Sequence, residues 1–254
     1  MSDTPTSPVN TQSNASGVTT DAALSVRAEW RRVAAFLKQP SLEPHAATGP
    51  AWIMLWRVYL LDIAIMFALV VLAGLVVASG VELPRTGLAD MELTALIVLG
   101  VLVGAPVVEE LLFRGWLSGR PGHVFALAAV LTAVLLSWAT GAPDTVLSLI
   151  VLIVGFIAAI IALIVLRRMG VMPSFAQRFP IFFWIATIGF ALVHLTNFAE
   201  GSLIALLPLV LPQFFLGMLL GYVRVQLGLW AAIALHAMHN ATALGISALA
   251  GGFA

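Results

Sequence analysis

The chain contains no cysteine, which excludes disulfides, thiolate metal sites and a cysteine nucleophile. Charge is almost as scarce: charged residues make up 9% of 254 positions, and 12 Lys and Arg balance 12 Asp and Glu to a formal net charge of +0. With so little charge and no basic block, nucleic acid is not an expected partner. What fills the chain instead is apolar. Hydrophobic residues reach 61% and mean hydropathy is +1.06, far outside a soluble globular domain and inside the polytopic membrane class. The expected surroundings are a lipid bilayer.

The opening "MSDTPTSPVNTQSNASGVTT" has neither an apolar core nor a cationic start, so residues 1–20 read as a disordered tail and not a signal peptide. Residues 21–50 read as a surface helix followed by a Pro-punctuated linker. In "DAALSVRAEWRRVAAFLK", Val26, Trp30, Val33 and Leu37 recur at helical spacing with Arg27 and Arg31 on another side, which predicts an amphipathic helix lying on the membrane surface. Residues 51–254 form the membrane domain.

A bilayer core needs about 20 residues of helix, and that requirement selects seven spans: Met54–Ser79, Met91–Leu117, His123–Thr140, Thr145–Leu166, Pro180–Phe198, Leu203–Tyr222 and Leu229–Leu249. The expected fold is an all-α, polytopic transmembrane bundle. Cation placement gives an independent check. Arg27, Arg31, Arg32, Lys38, Arg57, Arg114, Arg120, Arg167, Arg168, Arg178 and Arg224 fall to one side of this alternation and Arg85 to the other. By the positive-inside rule the N-terminus is cytoplasmic and the C-terminus outside. A compact chain of this kind suits a bacterial inner membrane.

Ionisable side chains inside such spans cost a few kcal/mol each on insertion scales, so they face cavities or partners and mark function. In "APVVEELLFRGWL", Glu110 and Arg114 stand at i,i+4 and can neutralise one another, which leaves Glu109 without a partner on its own helix. Pro106 removes a backbone donor just before the pair and predicts a kink. "FALVHLTNF" places Phe190 and His194 on one face, and "LHAMHN" does the same for His236 and Asn240. His239 lies off that face and reads as structural. Asp62 also reads as structural, directed towards Arg57. The "GMLLG" run, Gly217–Gly221, permits close helix approach, and Pro208 and Pro212 predict a bent sixth span.

The order Glu-Glu-x-x-x-Arg, Phe-x-x-x-His, His-x-x-x-Asn, each on a hydrophobic span, resembles the CAAX protease and bacteriocin-processing (CPBP) family of intramembrane endopeptidases, which includes type II CAAX prenyl proteases and Abi-like proteins. The resemblance spans Val107 to Asn240. It implies hydrolysis of a membrane-associated peptide or protein substrate, with Glu109, His194, His236 and Asn240 as catalytic residues and Glu110, Arg114 and Phe190 in support. Glu109 is then the general base toward a water held with His194, and His236 and Asn240 donate to the oxyanion. Arg114 holds Glu110, and Phe190 packs. Family members act on prenylated C-termini, in peptide maturation or in bacteriocin resistance, and no residue here separates these.

Two histidines and a glutamate also match the donor types of a His2Glu zinc hydrolase. With no His-Glu-x-x-His run, the reading preferred is no metal and no cofactor, with zinc on Glu109, His194 and His236 as the alternative. Two other function classes stay open. An ion- or proton-coupled transporter would also gather buried polar groups, but paired halves are not evident. A catalytically silent immunity or scaffold protein would keep the fold without turnover. Counting ~1.5 Å per residue from the cytoplasmic edge puts His194 ~20 Å deep, against ~11–12 Å for His236 and Glu109. A single site therefore requires the fifth helix to be staggered or tilted, and one water-filled cavity open to the cytoplasm is expected.

Overall fold

The computed structural model describes residues 25–45, 49–84, 86, 94–139 and 145–249. The expected tail, Arg85, the start of the second span at Met91 and the third-span end at Thr140 lie outside these residues.

The chain is a helical membrane bundle, and among the described residues six helices are long and apolar enough to cross a bilayer. α1 (Val26–Lys38) is followed by α2 (Ala51–Ala78), the first of the six. The second is composite: α3 (Ala95–Leu99), a π-helical turn (Gly100–Gly104) and α4 (Ala105–Arg114) run on without interruption. α5 (Pro121–Ala139) and α6 (Val146–Val165) pack along one another, with Ser137 bonded to Ser148 where their hydroxyls face. A short α7 (Pro173–Gln177) leads into α8 (Phe179–Val193), which tightens into a 3-10 turn at His194–Asn197.

Pro208 and Pro212 break the next span as the sequence implies. α9 (Leu203–Leu206) passes through a 3-10 turn (Leu207–Val210) into α10 (Leu211–Leu227), because neither proline can donate to the turn before it. The last helix, α11 (Leu229–Leu249), has the expected bounds and the length of a span. It is not among the six because His236, His239 and Asn240 lower its hydropathy. The bundle makes room for those polar groups by surrounding them with α2, α4 and α10.

The core lies where α1, α2, α8, α10 and α11 meet, around Phe179, Phe183, Phe190, Leu220, Tyr222, Ala232 and Leu235. α10 enters it through small residues. A Cβ at Gly221 would stand 2.5 Å from the Phe183 ring, and one at Gly217 3.2 Å from the Arg114 guanidinium, so the "GMLLG" spacing is what admits α8 and α4 to this helix.

α1 forms as predicted, capped by the Ser25 hydroxyl on Ala28 N–H, but its buried face differs from the expected one. Glu29, Val33 and Phe36 are buried, while Val26 is exposed. Phe36 packs edge-on to Phe183 and Tyr222, and the Tyr222 hydroxyl donates to Glu29 at 2.7 Å. A glutamate can turn inward only where a donor meets it, and here the donor stands 193 residues away.

Candidate active site

Glu109 and Glu110 are the middle residues of α4, and their neighbours on adjacent helices set them in different surroundings. Glu110 is fully buried. Its Oε1 accepts from Arg114 Nη1 at 2.9 Å and from His236 Nδ1 at 3.0 Å. Arg114, also buried, donates through Nη2 to the Gly217 carbonyl at 3.3 Å, and its guanidinium lies 4.0 Å from the centre of the Phe190 ring. A desolvated cation over an aromatic face is worth up to about 2 kcal/mol. The intrahelical ion pair is therefore present and extended, tying α4 to α10, α8 and α11. Arg224 adds a further tie by donating to the Arg114 carbonyl at 3.1 Å, where the end of α4 leaves acceptors without helical donors.

Glu109 is different. Its side chain is 27% exposed, and its Oε2 accepts no hydrogen bond from the protein. His194 Nε2 lies 3.7 Å from that oxygen and His236 Nε2 3.8 Å. The far nitrogens of both rings are committed: His194 Nδ1 to the Phe190 carbonyl at 2.7 Å, and His236 Nδ1 to the Glu110 carboxylate. Carbonyl and carboxylate oxygens only accept, so each neutral imidazole carries its proton on Nδ1 and presents a lone pair at Nε2. Three acceptor atoms from three helices thus converge and cannot hydrogen-bond to one another. A donor such as water, or a cation, is what this arrangement suits.

The fit to zinc is close but loose. Tetrahedral zinc with bonds of about 2.1 Å needs donor atoms about 3.4 Å apart. Here Glu109 Oε2 is 3.7 and 3.8 Å from the two nitrogens. Among the described residues no group of three or more His, Asp or Glu side chains is close enough to hold a metal ion.

Phe190 does more than fill space. Besides carrying Arg114, its ring meets His194 at 4.7 Å, His236 at 5.5 Å and Phe113 at 5.4 Å between centres. The helices meet the site at different points along their lengths, which is the stagger a single site requires. α8 reaches the acidic pair with the residue that ends it, His194, whereas α11 reaches it in its second turn, at His236.

Asn240 makes its hydrogen bond outside the acceptor trio. Its Nδ2 donates to the Val101 carbonyl at 2.9 Å, inside the π-helical turn. In that turn Ala105 N–H bonds to Gly100 O, and the following residue, Pro106, has no N–H. Val101 O therefore lacks both its α and its π donor, and Asn240 supplies the missing one. Pro106 carried the signal for this contact, because a lost donor implies a carbonyl in need of another partner. His239 lies off the site and pairs with Asp62 at 2.9 Å across α2 and α11. That corrects the expected direction of Asp62 towards Arg57, since residues five apart project about 140° from one another around a helix. Gly217 and Arg224 were not read from the sequence as parts of the site. A glycine's carbonyl leaves no mark in a one-dimensional pattern, and an arginine ending a span looks like an interfacial anchor.

A polytopic helical bundle with an acidic pair and two histidines gathered between its helices defines an integral membrane protein with an enclosed polar centre. The chain matches the family model of the type II CAAX prenyl endopeptidase Rce1-like proteins over residues 91–173 and 147–242, overlapping segments that cover more than half of it. It belongs to that protease family, which is the one its motifs resemble. No curated protein and no solved structure matches the chain.

Proposed function

We propose that the chain is an intramembrane endopeptidase in which Glu109 activates water against a peptide bond of a membrane-associated substrate. The observation that carries this reading is the convergence of Glu109 Oε2, His194 Nε2 and His236 Nε2. A water among them donates one hydrogen to the carboxylate and the other to an imidazole, which turns its lone pair outward. Glu109 takes the proton as the oxygen attacks the carbonyl carbon and returns it to the leaving amine. Glu110 remains fixed between Arg114 and His236 and orients the latter ring. His236 can donate to the oxyanion only when doubly protonated, with Glu110 as its counter-charge. Asn240 retains one Nδ2 hydrogen beyond the one given to Val101 O, and this serves as the second oxyanion donor.

In this reading no metal is required. Zinc held by the same three side chains, the alternative, would polarise the scissile carbonyl. Membership of a protease family favours hydrolysis over transport, and the complete set of acidic, imidazole and amide groups favours turnover over a silent scaffold.

The test is to incubate purified protein with membrane-anchored peptides, with and without a strong chelator, and to identify products by mass spectrometry. Cleavage at a defined bond that survives chelation, in protein with less than stoichiometric zinc, is the expected result. Cleavage that disappears with removal of stoichiometric zinc would assign the trio to the metal, and no cleavage of any peptide would count against the hydrolase.

A further inference from the structure

α11 carries His236 and Asn240, yet its apolar residues do little to decide which way the helix faces. Six alanines stand between Ala231 and Ala243, both included, and inside a bilayer no hydrophobic force turns one apolar face inward in preference to another. Directional polar contacts must set the rotation instead. One of them lies away from the acidic pair. Asp62 of α2 is fully buried; its Oδ2 accepts from His239 Nδ1 at 2.9 Å, while its Oδ1 has no hydrogen-bond partner among the described residues. A half-partnered carboxylate within a span is costly, and a buried pair of this kind is weak evidence for stability. What it does supply is direction.

The position of the pair around α11 gives that direction a use. At about 100° per residue, His239 lies ~60° to one side of His236 and Asn240 ~40° to the other. Two anchors therefore bracket the His236 ring: Asn240 ties one flank to the Val101 carbonyl at 2.9 Å, and His239 ties the other to Asp62. Further round on the Asp62 flank, the Tyr59 hydroxyl of α2 donates to Thr242, whose own hydrogen goes to the Met238 carbonyl at 3.0 Å. With a helix radius of ~5–6 Å, side chains included, a rotation of ~20° moves a side-chain tip by ~2 Å. A displacement of that size breaks the 3.0 Å bond from His236 to Glu110 and spoils its 3.8 Å approach to Glu109.

We propose that Asp62 and His239 are positioning residues for the Glu109 centre: they hold α11 in the rotation that aims His236 Nε2 at Glu109 Oε2. They act through His236 and not on the reacting atoms. Their contribution to turnover rests on the hydrolase reading above, whereas their effect on the His236 ring does not.

Nuclear magnetic resonance of full-length protein in detergent, with isotopically labelled histidine and the His236 Nδ1 signal assigned through His236→Gln, tests this by reading the ring through its bond to Glu110. Asp62→Leu and His239→Leu should each shift that signal. On a membrane-anchored peptide both should lower kcat at least about ten-fold with KM within about two-fold, since a misplacement of ~1 Å costs up to ~100-fold. Asp62→Asn keeps an oxygen acceptor without the charge and should match wild type in both measurements. Tyr59→Phe, which deletes one hydroxyl on the same flank, should shift the signal in the same direction by less, and covers the case of a leucine variant that does not fold. Val58→Ala, at a buried position of α2, should lower Tm while leaving both the signal and kcat per folded molecule as in wild type. An unmoved His236 signal in the Asp62, His239 and Tyr59 variants would overturn the proposal. So would an Asp62→Asn protein that matches Asp62→Leu, because the effect would then be one of charge. A shifted signal in a chain whose wild type cleaves no peptide would uphold the hold on His236 and remove the hydrolase reading.

Discussion

Adjacent carboxylates on one helix point about 100° apart, and that difference gives Glu109 and Glu110 separate duties. Glu110 Oε1 already serves both Arg114 and His236, so Glu110→Ala strands a buried guanidinium. Breaking a buried pair in this way costs about 3–5 kcal/mol, and the variant should lose most of its thermal stability in detergent. Glu110→Gln keeps an acceptor for one partner and should fall between wild type and alanine. Equal Tm for all three proteins would remove the structural role given to this residue. The Glu110 and Arg114 pair was legible because i,i+4 spacing is local, and so was the lack of a helical partner for Glu109. The convergence of His194 and His236 Nε2 on one oxygen was not legible from spacing. It depends on the order in which three distant helices meet, and the family resemblance, not periodicity, joined those residues.

At the scale of elements, the π-helical turn before the acidic pair adds a second tie from α11 to this span, beside the bond between His236 and Glu110. Because Pro106 has no N–H and Ala105 N–H goes to Gly100 O, the Asn240 side chain completes the turn through Val101 O. An unsatisfied carbonyl away from water costs about 1–3 kcal/mol. Asn240→Ala should therefore lower Tm, and Pro106→Ala, which restores a backbone donor, should reduce the damage when the two are combined. Non-additivity of about 1 kcal/mol in that double-mutant cycle is the expected result; simple addition would separate Asn240 from the turn. Activity would then report the proposed oxyanion role independently, since a rescued turn leaves the Asn240 amide missing. The span ends were readable from apolar runs and prolines, most closely for α11. The inward turn of Glu29 on α1 was not, because its partner Tyr222 is remote in sequence.

For the whole molecule, the loops that carry the cations gather at one end of the bundle. Met172 N–H bonds to the Gly119 carbonyl, Gly119 packs beside Leu42 and Phe175, and His45 N–H bonds to Gln226. By the positive-inside rule, the expectation is that this end, which carries α1, is the cytoplasmic one. The cysteine-free sequence allows single cysteines to be placed at Ser118 and Ser79 and labelled in intact cells with an impermeant thiol reagent. Ser79 should label from outside and Ser118 only after permeabilisation; the reverse pattern would invert the topology. The six candidate spans and α11 enclose a centre in which Glu110 is buried and Glu109 is partly exposed, the asymmetry that the proposed base and its water require. The most direct test of that claim is turnover of a membrane-anchored reporter peptide by reconstituted wild-type protein and by Glu109→Gln. Removing the base without unpairing any charge should lower the rate at least about 100-fold while Tm stays unchanged, whereas cleavage by the variant at the wild-type rate would contradict it.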